Sequence, residues 1–377
     1  MFNKYIKTII ILIIIIHFTA NSDEKKIFLE IPEVEASIGN NIFKSKNNGF
    51  TGVSGEKLPE YFRKEHKVKL SAYKIEKYLV TNEQFLIFKN ETGYKTKHEL
   101  EKKSTIIYNG ITPATKITFL DAVAYCQWYS DKYGAIYRLP TSAEWEYAAL
   151  CNEKKLFPWG NNNKLIAETG TEQITNRSNY SVYEIDEDSS SLGLHNLMGG
   201  AEYTLDCDDE TFYEKSPEIN ALCTISDNGS ASSVTRGVLK YNDVQDYCGF
   251  GLYSLIPKNI NSWRGDFYFR TVIDEGTIFN KNTEDECVYF LSIGNTINKT
   301  INVLEHPQVN AKYKVYQCES NTYILLKTTN DKYYRVFFQI YDKNILGNIE
   351  KFWISGWVNS NDIELSNKKF YEINSYE

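Results

Sequence analysis

The 377-residue sequence contains neither a C-x-x-C nor an H-x-x-x-H pair, and only two methionines. The first absence excludes a zinc ribbon and a thioredoxin-like redox site, and the second excludes a helix-borne pair of metal-ligating histidines. His66, His98, His195 and His306 stand isolated and read as structural. No glycine-rich phosphate cradle, G-x-S-x-G elbow or Cys/His nucleophile pair occurs. Ser71-x-x-Lys74 has the form of a nucleophile motif, but it sits in a strand pattern without a K-T-G partner. Basic residues are scattered and the net charge is -7, so no basic stripe exists for a nucleic-acid backbone. No second apolar stretch of membrane length follows the N-terminal one, so the mature chain is expected not to span a membrane.

At the N-terminus, Lys4 and Lys7 precede an apolar run from Ile9 to Ile16 and then small residues, the layout of a signal peptide over residues 1–22. The run is short of the ~20 residues of a spanning helix, so export with cleavage after Ala20 or Ser22 is expected over anchorage. Periplasm, cell surface and medium are all open as destinations. Export permits disulfides among the seven cysteines, and the odd count leaves at least one outside any intramolecular pair. Cys207 with Cys223 and Cys287 with Cys318 are the nearest pairs able to close local loops.

The length accommodates two domains, and 42% hydrophobic content with 14% aromatic can bury a sizeable core. Thr118 to Gly160 organises the chain. Thr118-x-x-Asp121 and Thr141-x-x-Glu144 are capping boxes that open two helices, and Gly134 is placed to end the first. Ala124, Tyr125 and Trp128 on one helix, and Trp145, Ala148 and Ala149 on the next, form apolar stripes read as core. Phe157-Pro158-Trp159-Gly160 then turns the chain. Upstream, IFLEIPEVEASIG reads as a strand and Lys64 to Asn82 as two more, with Thr81 or Asn82 capping a further helix. Between Asn161 and Ser191 periodicity disappears; Asn176, Asn179, Asp186 and Asp188 offer hard oxygen ligands of the kind calcium prefers, the alternative being a solvated acidic loop. Beyond Asp274 short alternating runs appear at Val288–Ile293, Lys312–Gln317, Thr322–Thr328, Tyr333–Ile340 and Phe352–Val358, the rhythm of a small β-barrel.

AVAYCQW, RLPTSAEWEYAA and FPWG, in this order, resemble the signature of the formylglycine-generating enzyme (sulfatase-modifying factor) family. The resemblance extends over about residues 27 to 273. It implies an α+β, C-type-lectin-like fold with much irregular structure over residues 23–275, and calcium sites in comparable loops. LGLHNLMGGAEYTLD resembles the family's G-L-x-x-x-x-G-N-x-x-E block, with Gly200 where the family has Asn and Glu202 at its acidic position after a one-residue deletion. Val234-Thr235-Arg236-Gly237 resembles the start of an R-G-G-S block, and FYFRTV resembles the closing G-F-R strand. Active members hold copper(I) on two cysteine thiolates between those last blocks and oxidise a sulfatase cysteine to formylglycine. Here the interval from Arg236 to Arg270 contains Cys248 alone and no histidine or methionine. For residues 276–377, Ile354-Ser355-Gly356-Trp357-Val358 followed by Asn361-Asp362-Ile363 resembles the end of bacterial SH3-like domains, which bind peptides or cell-wall material.

Two readings follow. The first is an exported, non-catalytic binding or scaffold protein that engages a protein, peptide or cell-envelope ligand through its variable loops. The second is a divergent copper-dependent oxidoreductase in which Cys248 acts with another cysteine, Cys207 or Cys223.

Overall fold

The computed structural model of the chain describes residues 26–39, 65–102, 110–155, 160, 180–198, 200–207, 216–224, 232–237, 255–260, 262–263, 267–279, 286–305, 307–308, 310–317, 322–343 and 349–372. The N-terminal apolar run lies outside them. Among the described residues no helix is long and apolar enough to cross a membrane.

Local chemistry sets the helices α1 (Asn82–Thr92), α2 (Lys97–Lys102), α3 (Phe119–Tyr133) and α4 (Ser142–Leu150). Thr81, Thr118 and Thr141 each accept from the backbone N–H three residues on, and Gln84, Asp121 and Glu144 reciprocate to the cap's own N–H. Each cap contributes about 1 kcal/mol. Gly134 ends α3 at φ 72, as its place after the apolar stripe predicts. The chain leaves α4 differently: Cys151 itself takes the left-handed conformation at φ 53, and Phe157 to Trp159 lie outside the described residues. Tyr125, Trp128 and Trp145 are buried, as their spacing predicts.

One four-stranded sheet has the order β1 (Phe28–Ile31), β4 (Tyr73–Glu76), β10 (Val272–Asp274), β5 (Ile136–Arg138). A second sheet pairs β2 (Val34–Ile38) with β3 (His66–Leu70). The single strand expected from IFLEIPEVEASIG is therefore two strands in different sheets, because Pro32 lies between them and has no N–H to donate to a ladder. A third sheet runs β8 (Leu255–Asn259), β7 (Ser232–Gly237), β6 (Ala201–Cys207), β9 (Phe267–Tyr268), with β6 and β9 parallel. α4 and Trp145 sit over an apolar core that includes Ile31, Val68, Tyr73 and Leu197.

The C-terminal part is one sheet ordered β11 (Ile278–Phe279), β12 (Cys287–Thr296), β15 (Thr322–Thr328), β16 (Tyr333–Lys343), β17 (Ile349–Asn359), β13 (Thr300–Leu304), β14 (Tyr313–Gln317). A last strand, β18 (Ile363–Leu365), also pairs with β12. The five runs read from alternation correspond to β12, β14, β15, β16 and β17; β11, β13 and β18 add to them. Among the described residues the path is open, with β14 at one end and β11 and β18 at the other, whereas the strand rhythm predicted a closed barrel. β16 and β17 pair over eleven positions each, longer than the strands of a small barrel. In the G-W-V triplet Gly356 has a packing reason, because a Cβ there would stand 2.2 Å from Val303 Cγ1 on β13.

The chain passes from the first sheet to the last between Asp274 and Ile278, and packing continues across that joint. A single buried cluster joins Phe85, Tyr125 and Tyr203 to Ile293, Tyr323, Phe337 and Trp357. Gln127 on α3 donates to Leu291 O at 3.3 Å and accepts from Phe370 N at 2.6 Å, fixing the sheet to the helix through backbone groups.

Candidate functional site

Four arginines are fully buried: Arg138, Arg236, Arg270 and Arg335. A buried cation has to be paired, so the partners of these four define where charge is held inside the fold. Arg138 on β5 grips Glu144 with two bonds of 2.8 Å, while Glu144 also accepts from Thr141 N in the capping box. The segment RLPTSAE is thus a clasp: the strand's arginine and the helix's cap share one carboxylate. Burial alone pulls the Arg138 pKa down, but Glu144 and Asp274 beside it carry it above the ordinary value. Arg236 on β7 bonds Glu146 Oε2 at 2.8 Å and donates to Ser142 Oγ at 2.6 Å, and the other oxygen of Glu146 accepts from Gly39 N. Arg270 bonds Glu202 on β6 at 2.5 and 2.8 Å and donates to the carbonyls of Glu76, Lys77 and His195. These forks are filled from within, and they fix segments far apart in sequence without presenting a guanidinium to a substrate.

Lys26 continues the pattern at the described N-terminus. Its ammonium pairs with Glu76 at 2.7 Å and lies over the rings of Tyr125 and Tyr129, 5.1 and 4.6 Å from their centroids. Burial pulls its pKa down and Glu76 opposes the fall. Asp206 on β6 is a buried carboxylate that accepts from Ser142 N at 2.5 Å and Cys223 N at 3.0 Å. Burial pushes its pKa up to about 6 against the pull of those N–H groups and Arg236.

Of the residues expected from sequence to bind metal, Asn176 and Asn179 lie outside the described residues. Asp186 is exposed, and its backbone carbonyl accepts from Ser189 Oγ. Asp188 is 1% exposed; Oδ1 accepts from Leu197 N and Met198 N at 3.1 Å, and Oδ2 from Met198 N at 3.2 Å. Those bonds pin the turn leading into the Gly200 block. Among the described residues no group of three or more His, Cys, Asp or Glu is arranged to hold a metal ion. Cys248 also lies outside the described residues. Glu202, assigned to the family's acidic position after a one-residue deletion, is the partner of Arg270. His98 packs edge-on against Trp263 and His195 lies against Tyr78, both as ring contacts.

Arg335, Cys207 and Cys223 form an arrangement that sequence reasoning did not assemble. Arg335 on β16 has no carboxylate partner among the described residues: Nη1 donates to Val336 O, and Nη2 to Cys207 Sγ at 2.7 Å and Ser355 Oγ at 3.1 Å. Its Nε is buried without a hydrogen-bond partner among the described residues. Cys207 and Cys223 are thiols, each 3% exposed, and Cys207 N donates to Cys223 O at 2.8 Å. The available signal was the alternation of β16, in which Arg335 falls between Tyr333 and Phe337 on an inward face. Copper(I) fits this pair poorly, because the guanidinium already against Cys207 repels a second cation.

The fold and these clasps define a strand-rich α+β domain in which paired charges hold the sheets and loops carry the remaining surface. The chain belongs to the family of the sulfatase-modifying factor enzyme 1-like domain, whose profile matches residues 35–274. It is 28% identical over 137 residues to the formylglycine-generating enzyme of Bos taurus, covering 25% of this chain and 35% of that protein. With the formylglycine-generating enzyme of Mycobacterium tuberculosis it shares 26% identity over 149 residues, 26% of this chain and 48% of the relative. The matched segments therefore span less than half the length of these relatives. Among solved structures, PvdO from Pseudomonas aeruginosa superposes with a TM-score of 0.46 at 16% identity, over 66% of this chain and 94% of that one. Treponema denticola variable protein 1 gives 0.45 at 17% identity, over 65% and 94%.

Proposed function

We propose that the chain is an exported, non-catalytic binding or scaffold protein built on a formylglycine-generating-enzyme-like fold, with residues 23–275 as the family domain and 276–377 as a second module. Its ligand is a protein, a peptide or a component of the cell envelope, engaged by loops carried on the clasped sheets. One observation carries the reading: the interval between Arg236 and Arg270 supplies a single soft ligand, Cys248, where a copper(I) cradle takes two. The partners of Arg236 and Arg270 support it, since both guanidinium groups are matched to internal glutamates.

The test loads the reduced, purified chain with copper(I) under competition from a chelator and examines a cysteine-containing sulfatase peptide for formylglycine by mass. The expected outcome is loss of the metal to the chelator and an unchanged peptide. Stoichiometric copper retention with aldehyde product, both absent in Cys248→Ser, would overturn the reading in favour of a copper-dependent oxidoreductase.

A further inference from the structure

The open path of the last sheet ends on β14, which pairs with β13 alone among the described residues. Its residues, Tyr313-Lys314-Val315-Tyr316-Gln317, are exposed except for the partly buried Tyr316. Glu305 N donates to Lys312 O at 3.0 Å, and the register continues as Leu304 with Tyr313, Val303 with Lys314 and Asn302 with Val315. Hydrogen-bonded and non-hydrogen-bonded pairs alternate along an antiparallel ladder. Lys312, Lys314 and Tyr316 therefore bond to β13, and the N–H and C=O groups of Tyr313, Val315 and Gln317 point to the open side. Side chains alternate with a period of two, so Tyr313 and Val315, 59% and 58% exposed, share one face of this edge and Lys312 and Lys314 share the other. An edge of this kind takes up an extended chain by continuing the ladder. Charge sets which chain. Residues 299–317, the β13–β14 hairpin, carry Lys299, Lys312 and Lys314 against one acidic residue, Glu305, in a chain of net charge -7. None of the three lysines is in an ion pair among the described residues. A second copy of the chain would bring the same lysines to the seam, and like charges across a strand pair oppose it. An acidic strand reverses that sign.

We propose that β14 is a docking edge for an extended acidic segment of a partner protein. In that segment a glutamate or aspartate at every second position lies beside Lys312 and Lys314, and the apolar residues between them lie beside Tyr313 and Val315. The outward backbone groups of Tyr313, Val315 and Gln317 supply the ladder, so affinity comes from main-chain bonds and selection from the alternating side chains. The assignment rests on the binding reading above, to whose loops it adds a sheet edge. Lysines on an edge strand also serve to keep it from pairing with itself. A guard needs only the charges, whereas this edge presents a tyrosine and a valine beside its outward backbone groups. Tyr316, on the lysine face, has its ring 6.1 Å from that of Phe338, which ties this edge to the core of the sheet and keeps it extended.

The experiment uses the full chain and a short, end-blocked fluorescent peptide alternating valine and glutamate, with a valine and lysine peptide as its control. In the free chain the amides of Tyr313, Val315 and Gln317 are expected to exchange with solvent faster than those of Lys314 and Tyr316. The glutamate peptide should slow exchange at those three amides and bind more weakly as salt is raised, and the lysine peptide should not bind. Lys312→Glu/Lys314→Glu should weaken the glutamate peptide by about tenfold or more and make the chain bind the lysine peptide instead, a swap that a folding defect does not produce. Slow exchange of the three amides in the free chain would mean that the edge is already covered, and would overturn the proposal. So would equal binding of the two peptides, peptide binding that leaves β14 exchange unchanged, or a dimer of the chain whose seam protects β14. Failure here is distinct from failure of the non-catalytic reading: copper retention with turnover alongside peptide binding would remove that reading and leave the edge, and copper loss with no peptide bound would do the reverse.

Discussion

Replacing Glu202 by Leu removes the carboxylate from Arg270 while leaving the guanidinium in a site that is 0% exposed. The geometry decides the magnitude. Arg270 keeps three carbonyl acceptors, from Glu76, Lys77 and His195, but these neutral groups do not balance its charge. Leaving a buried ion without its counter-ion costs about 3–5 kcal/mol. Arg270→Met leaves Glu202 equally stranded and removes the donor from three carbonyls, so its loss is expected to be at least as large. The double variant Glu202→Leu/Arg270→Met removes both charges and retains only the cost of the underbonded carbonyls, about 1 kcal/mol each. Its destabilisation should therefore be about 2–3 kcal/mol, far below the sum of the two single variants. Urea unfolding followed by tryptophan fluorescence and by circular dichroism reads all four corners of the cycle. Additive behaviour, or a Glu202→Leu loss under about 1 kcal/mol, would show that the clasp does not hold β6 to the end of β9, and the account of the buried arginines would fall with it.

Trp145→Ala is expected to cost about 2–4 kcal/mol in thermal unfolding: cavity formation at a fully buried tryptophan costs about 3–5, and removing an indole N–H that has no partner among the described residues returns part of it. Trp145→Phe should be milder, and a loss for Ala within about 0.5 kcal/mol would contradict the packing. Because burial raises the Asp206 pKa to about 6, the native state holds more protons than the unfolded chain between pH 6 and about 4. This group's contribution to stability therefore rises as pH falls through that window, by at most ~3 kcal/mol, and is lost as pH rises through 6. Asp206→Asn should flatten that part of a stability-against-pH curve, and an unchanged slope would assign the effect to other groups. Asp188→Ala should cost about 1–3 kcal/mol with or without calcium, from the unsatisfied N–H groups of Leu197 and Met198. A calcium-dependent rise in Tm that vanishes in Asp188→Ala would make Asp188 a ligand.

The helices were legible because their signals are local. Thr118 and Asp121, or Thr141 and Glu144, are three residues apart, and their bonds form regardless of the rest of the fold. The strands after Asp274 were legible as elements for the same reason, since alternation is a property of five to ten neighbouring residues. What alternation does not encode is pairing. β13 and β14 are consecutive and pair, but β12 reaches β15 and β18 across the intervening chain, and nothing within β12 reports this. The clasps were illegible on the same ground: Arg270 lies 68 positions from Glu202, and Arg236 lies 94 from Ser142. Each residue was visible in a motif, and the bond between them was not. Cys207 and Arg335, 128 positions apart, are a further case.

The same separation lets two clasps bracket the interval between Arg236 and Arg270. Arg236 and Arg270 anchor the two ends of a segment, one to Glu146 on α4 and the other to Glu202 on β6, and both anchors are buried. Charges inside the core are expensive to disturb, so the ends of the segment are fixed by several kcal/mol at each clasp. Both clasps are made with residues outside the interval, Glu146 and Ser142 on α4 and Glu202 on β6. On the binding or scaffold reading proposed above, a segment with its two ends held in this way is where a recognition surface would be carried.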